Sequence, residues 1–481
     1  MTRGRILGLA VLGLLAATVA LADAPADADW QKWLPQVHIY FRTFFLYQND
    51  SDFDRTKPLY NKYGQSVGYL STMFRPLFLW SPLPAITLGY ELELGDNIWS
   101  ENDARQGDAT GAGRPIFRHR QFWGQLKFPS TDLSLAVGYQ YVHDPTHLVL
   151  DGYYGAAHVD YAWAGGTASV GAMQIPDRVY EGTDPNQAGF DADLQGFDPN
   201  RNNFQNDDFF FYVTTTHALR GAVPEASPGM PLMDAKRHIL TSPRRDGALT
   251  LSPGVFVRWD ATVIHRPRWY AAPAVNLAWS PNPLFALDLD LAGQFGTFRH
   301  GGIDNHDLTI AAGAAQLSAT VDADVVALRI GFLAFSGDKD RKDSVENGYD
   351  YSGFSKGPTV ILTENWLQDQ YNNLDEKVAA QKAGLFLVDA QVTVRPLSSL
   401  SVYAIVGNAR VWENHDLNGD AVVGTEIDGG VTWEVYKNHA KLNLLAASLL
   451  PGKAAAALVN EIDTRATVPL WNVQGSMELM F

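Results

Sequence analysis

Pairs of carboxylates separated by one residue, Glu91/Glu93 and Asp288/Asp290, are the side chains with the clearest chemical potential in this sequence. Around the first pair, Ile86, Leu88, Tyr90, Leu92 and Leu94 alternate with Thr87, Gly89, Glu91 and Glu93. A spacing of two places both acids on one face of a β-strand and the apolar residues on the other. An ionised carboxylate in an oily run is tolerable only where its own side meets water. Neighbouring carboxylates on such a face raise the local concentration of cations, and rings of charge along a water-filled path set ion selectivity.

The same phase can be followed through the chain. It assigns Glu91, Glu93, Asp260, Asp288, Asp290, Asp389, Glu426, Asp428, Glu434 and Glu478 to the wet face, together with the bases Arg42, Arg75, Lys127, Arg258, Arg329 and Arg395. Acids outnumber bases in that set, which predicts a path that prefers cations at neutral pH.

Other chemistry finds little support. Asp416-Leu417-Asn418-Gly419-Asp420 has the oxygen spacing that opens a calcium loop, but Ala421 stands at the sixth position and Ile427 at the twelfth, so a polar hairpin loop is expected. The chain has no cysteine, which removes thiolate metal sites and thiol nucleophiles. Its 12 histidines form no H-E-x-x-H pattern, and no Ser-His-Asp set carries local context; the expectation is no enzyme, no metal and no cofactor. The basic cluster Lys236-Arg237-His238 with Arg244-Arg245 lacks interleaved aromatics and reads as a solvated turn or a contact with lipid head groups, not a nucleic-acid site.

The elements that position these residues are strands of one kind. A membrane-spanning strand needs about 9–11 alternating residues. Matches run over Val37–Tyr47, Val67–Trp80, Ile86–Leu94, Pro115–Phe128, Leu133–Tyr141, Tyr154–Trp163, Thr167–Ile175, Asn206–His217, Val255–His265, Trp269–Trp279, Leu284–Gln294, Asp307–Ser318, Ala323–Phe335, Gly384–Arg395, Leu400–Arg410, Gly424–Val435, Lys441–Leu449 and Ala466–Phe481. The predicted fold is therefore all-β: a single transmembrane antiparallel β-barrel of about eighteen strands, with long external loops and short periplasmic turns. Trp80 and Trp279 end their strands before Pro-rich turns, as an interfacial aromatic girdle requires.

Closure demands that Val37–Tyr47 pair antiparallel with Val473–Phe481, because in hydrocarbon no sheet edge can stay unpaired. The longest loop, Ser336–Lys382, is long enough to fold inward as a constriction, and Ala218–Thr250 is left open as turn, plug, helix or extra strand.

Arg3 and Arg5 before Ile6–Leu21, with Ala20-Leu21-Ala22, have the pattern of a secretory signal peptide over residues 1–22; a cut after Ala24 fits nearly as well. That leaves 23–481 as one barrel domain. Loss of the two arginines takes the formal charge from −16 to −18, which argues against a polyanion-binding surface.

Phe335-Ser336-Gly337-Asp338 before a long loop, and Gly424-Thr425-Glu426-Ile427-Asp428 with the hairpin running to Pro451-Gly452, resemble the alginate-export porin family over about Leu284 to Phe481. The resemblance implies an eighteen-stranded outer-membrane barrel and a passive channel. In the alginate exporter itself arginines select an anionic sugar polymer, and periplasmic export partners are implied with it; the acid-rich set above departs from that pattern. A terminal Phe481 resembles the strand signal read by the barrel-assembly machinery. The expectations are thus an outer-membrane location, contact with outer-membrane lipid, and diffusion of small hydrophilic solutes or a sugar polymer. The alternatives are an alginate-type exporter, a plugged barrel that serves as a binding or assembly scaffold, and, more remotely, a soluble β-sandwich or adhesin.

Overall fold

The computed structural model describes residues 34–49, 66–98, 117–175, 208–221, 247–260, 268–299, 306–340, 342–350, 359–363, 382–414, 417, 419–459 and 467–481. Strands follow one another as β1 (Gln36–Asn49), β2 (Ser66–Leu83), β3 (Ile86–Ile98), β4 (Phe117–Lys127), β5 (Leu133–His143), β6 (Asp151–Trp163), β7 (Gly166–Ile175), β8 (Asp208–Arg220) and β9 (Ala248–Asp260). They continue as β10 (Arg268–Asn282), β11 (Phe285–Phe298), β12 (Leu308–Asp322), β13 (Val326–Phe335), the two-residue β14 (Val345–Glu346), β15 (Leu385–Leu397), β16 (Leu400–Val411), β17 (Val422–Tyr436), β18 (Ala440–Pro451) and β19 (Leu470–Met480).

Among the described residues these form one sheet of 19 strands, and all but β14 pair antiparallel with their chain neighbours. β13 pairs directly with β15, while β14 adds a short parallel contact to Thr309 and Ile310 of β12. The sheet closes where β1 meets β19, from Tyr40 opposite Met480 to Gln48 opposite Asn472. Eighteen strands thus form a barrel, with the expected pairing of its first and last members.

Each predicted segment has its counterpart, with shifted ends. The ninth strand begins at Ala248 instead of Val255, and His143 and Asp151 already belong to β5 and β6. The proline at 253 hid the start of β9, because a proline in a run weakens its strand signal. Residues 222–246, which hold the basic cluster, and the signal-peptide segment lie outside the described residues.

Alternate residues point outward and carry the apolar surface. Trp269 and Trp279, both exposed, bracket β10 ten residues apart. That is about 34 Å along a strand, and at a tilt near 40° about 26 Å of height, the thickness of a barrel's lipid-facing band. Exposed Tyr47, Phe211, Trp259, Trp412 and Trp471 continue the belt on the loop side; Trp80, Phe128, Tyr161, Trp433 and Phe481 continue it on the turn side.

Candidate functional site: the lumen wall and its inward segments

The inward face of the barrel carries the charges, and most of them meet a partner. Glu91 and Glu93 are both buried. Arg75 Nε lies 3.2 Å from Glu91 and 3.3 Å from Glu93, and its Nη2 donates to Tyr153 at 3.0 Å. Arg120 clamps Glu93 through two bonds of 2.9 Å, and Gln121 donates to Glu91 at 2.8 Å.

Arg120 would face lipid if β4 alternated strictly, since Phe122 does. A bulge opposite Glu91 and Leu92, which pair with Gln121 and His119, inserts the extra residue that turns Arg120 inward. The four charges cancel. The strand-by-strand count of free acids missed this because parity cannot see a bulge.

A second cluster fastens the long loop to the wall. Asp350 accepts from Arg258 Nη1 at 2.9 Å and Arg268 Nη1 at 2.7 Å, while its backbone exchanges two bonds with the Gln294 amide, of 2.9 and 2.8 Å. Arg258 also grips Asp208 and reaches Asp260 at 3.7 Å. One residue earlier, Tyr349 stacks on Phe335 and donates to Leu148 O at 3.0 Å. Burial raises the Tyr349 phenol well above its ordinary pKa, so it remains a donor.

Glu426 and Asp428 meet the same loop further along. Glu426 accepts the backbone N–H of Val360, Ile361 and Leu362 at 2.8, 2.7 and 2.7 Å, and Asp428 accepts a second bond from Val360 at 3.3 Å. The turn from Thr359 to Thr363 is buried, and the chain can approach because the wall residue beneath is Gly407: a Cβ there would sit 2.6 Å from the Thr359 methyl. Leu362, Val360, Leu387, Leu445 and Leu449 then form an apolar cluster inside the barrel, extended by Ala454 and Ala455 of the short helix α1 (Lys453–Val459). The described part of Ser336–Lys382 therefore folds inward, as its length suggested.

A shorter inward segment joins β5 to β6. Asp144 accepts the backbone N–H of Thr146, Val149 and Leu150 at 2.8, 3.0 and 2.8 Å, and buries Leu148 to Leu150. Beside it His147 bonds Asp151 at 3.0 Å and stacks on His143.

The other nominated residues are spread along the wall. Arg329 pairs with Asp389 and Arg42 stands opposite Glu478 in the β1–β19 register. Arg395 holds Asp322 at 2.8 Å and the Asp324 carbonyl at 3.0 Å, and Glu434 accepts the Asn438 N–H; both sit at the turn side, as does exposed Lys127, remote from the inward loop. Asp288 and Asp290 share one donor, Asn276 Nδ2, at 2.9 and 2.8 Å. Asp416 and Asn418 fall outside the described residues; next to them Asp420 accepts the Val422 N–H at 2.9 Å, a hairpin-loop contact.

Sequence reasoning passed over Arg120, Arg268, Asp208, Asp350 and Tyr349. Asp350 and Tyr349 lie in a loop where no periodicity exists to read.

No family model matches the chain, and no curated relative matches it. Solved structures do. The chain is similar to OccAB2 of Acinetobacter baumannii (TM-score 0.55, 9% identity, 94% of this chain and 99% of that one). It is similar to the outer membrane protein OpdK of Pseudomonas aeruginosa (0.54, 11%, 92% and 98%) and to OccK9 (OpdG) of the same organism (0.53, 14%, 93% and 98%). At these identities the likeness shows the fold, that of an outer-membrane barrel, and does not single out the alginate-export family.

Proposed function

We propose that a barrel of this fold works here as an outer-membrane porin: a passive conduit for small hydrophilic solutes, narrowed by the inward segments at 342–350 and 359–363. The observation that carries the reading is the closed eighteen-strand wall, apolar outside and polar inside, with a loop fastened across it by Asp350 and Glu426. The short turns and both described chain ends share one side, which we read as the periplasmic one, with the long loops outside. The path lets solutes diffuse without a chemical step.

Cation preference is part of the proposal and narrows to one place. The Glu91/Glu93 pair is neutralised by Arg75 and Arg120. Glu426 and Asp428 are spent on backbone donors. Asp288, which accepts from Asn276 Nδ2 at 2.9 Å, is an acid left to bias the lumen. An alginate-type exporter is supported less, because Arg75, Arg258, Arg329 and Arg395 each hold a carboxylate that a uronate would have to displace.

Planar-bilayer recording across a KCl gradient tests the reading. Stable open steps with a cation-side reversal potential are expected. Silence from folded protein would favour the plugged scaffold, a reading to which the apolar cluster inside the barrel lends weight. Anion preference with block by uronate oligomers would favour the alginate-type channel.

A further inference from the structure

The β5–β6 hairpin parts from the sheet in the loop-side half of the wall. Its two strands pair with each other up to His143 opposite Asp151. Their outer neighbours stop earlier: β4 pairs with β5 only as far as Phe122 opposite Tyr139, and β7 pairs with β6 only as far as Gln174 opposite Gly155. β4 nevertheless runs on to Phe117, paired there with β3 alone. Gly138 marks the departure on β5: its φ of +138° favours glycine, and a Cβ there would lie 2.3 Å from Phe122 O.

Beyond that point the hairpin is drawn into the lumen. Tyr349 donates to the Leu148 carbonyl, Arg75 donates to the Tyr153 phenol, and Leu148 and Leu150 are fully buried. Phe122 stands six residues above Phe128 of the turn-side belt. That is about 20 Å along the strand and about 16 Å of height, so the split opens inside the lipid-facing band. A bare strand edge does not occur in hydrocarbon; at that depth it has to meet protein, water or a ligand.

A chain of aromatic rings crosses the split. Tyr139, 37% exposed on the lipid side, has its ring centroid 6.4 Å from that of Tyr153. Tyr153 is 5.5 Å from Tyr141, Tyr141 is 5.5 Å from His143, and His143 is 4.3 Å from buried His147. These are the spacings of favourable aromatic pairs. The phenols place polar ends along the row, Tyr141 on Asp151 and Tyr153 on Arg75. The charges beside them are matched, Arg75 and Arg120 against Glu91 and Glu93. At the foot of the split Gly155 is exposed, and a Cβ there would meet nothing within 4 Å.

We propose that the split is a lateral window between the lumen and the loop-side lipid leaflet, and that it passes small uncharged aromatic amphiphiles. The rings offer such a molecule stacking partners from the lipid side to the lumen side, and the phenols offer its polar end hydrogen bonds. The balanced charges give no hold to an ion. Water-soluble solutes keep the axial path, and the window adds a route for those that partition into lipid. It rests on the barrel fold and not on ion conduction.

The experiment is photolabelling of the full chain in lipid vesicles with 5-iodonaphthyl-1-azide, with glutathione in the water to scavenge probe that arrives by the lumen, and mapping of the labelled residues by mass spectrometry. Label is expected on Tyr141, Tyr153 or His147 as well as on lipid-facing residues such as Phe211. Gly155→Trp, which fills open space at the foot of the window, should cut the inner label at least fivefold and leave the label at Phe211 unchanged. In cells with equal amounts of heat-modifiable barrel, the same variant should slow uptake of N-phenyl-1-naphthylamine several-fold. Label confined to lipid-facing residues, inner label that Gly155→Trp does not reduce, or uptake that the variant does not slow overturns the window. A barrel that conducts no ions yet shows the inner label and the uptake keeps the window and loses the porin reading; conduction without inner label does the reverse.

Discussion

Glu426 shows how a single side chain can set the bore. Its two oxygens take the backbone N–H groups of three successive residues, and those residues are buried. Each buried donor left unmade costs about 1–3 kcal/mol. Glu426→Ala should therefore release the turn at 359–363: larger and noisier single-channel currents, with faster protease cleavage near Thr359, are expected from a barrel that still migrates as folded. A variant with unchanged conductance would mean that the turn does not bound the path.

Glu91 and Glu93 behave differently. Amides there strand buried Arg75 and half-buried Arg120, and breaking a buried pair from one side costs about 3–5 kcal/mol. Glu91→Gln/Glu93→Gln is thus expected to lower the denaturant midpoint of unfolding. Asp288→Asn, at a half-buried acid held by one Asn276 amide, leaves that midpoint nearly unchanged and shifts the reversal potential toward anions. Equal stability loss in the two variants would contradict this division of roles.

At the scale of elements, the strands were readable because each one separates water from lipid, and that boundary writes period two into the sequence. Ile86–Leu94 is the plainest case, and it became the core of β3. What could not be read was anything that breaks the period. The bulge that turns Arg120 inward, the loop residues Tyr349 and Asp350, and the pairing of each acid with a particular arginine all depend on register between strands. One sequence carries no direct record of register.

The lipid face gives an element-scale prediction. Leu291 points outward, 43% exposed, opposite Val275 and close to midway between the Trp269 and Trp279 levels. An arginine at the bilayer midplane costs about 2–4 kcal/mol in such barrels. Leu291→Arg should lower folding stability in lipid vesicles by that amount, and the same change at Leu284, beside the turn, by about 1 kcal/mol or less. Equal penalties at both depths would contradict the assigned band.

For the whole molecule the decisive contact is the seam. β1 and β19 are separated by nearly the entire chain, so their pairing closes the longest and most costly loop, and without it each strand keeps one edge of unpaired backbone. Phe481 lies at that seam. Its N–H and C=O exchange bonds with Ile39 at 2.9 and 2.7 Å, while its ring projects outward beside His439. The backbone bonds do not need an aromatic side chain; recognition during assembly would. Phe481→Ala should therefore leave refolding into detergent and the unfolding midpoint nearly intact, yet sharply reduce the heat-modifiable protein recovered from outer membranes of expressing cells. Placing cysteines at Thr43 and Met477, which face each other across the seam, reports closure in the same cells as a disulfide. Should Phe481→Ala reach the membrane in normal amount with that disulfide formed, the terminal ring serves only the lipid interface. Should it fail to close even in detergent, the seam itself depends on the ring.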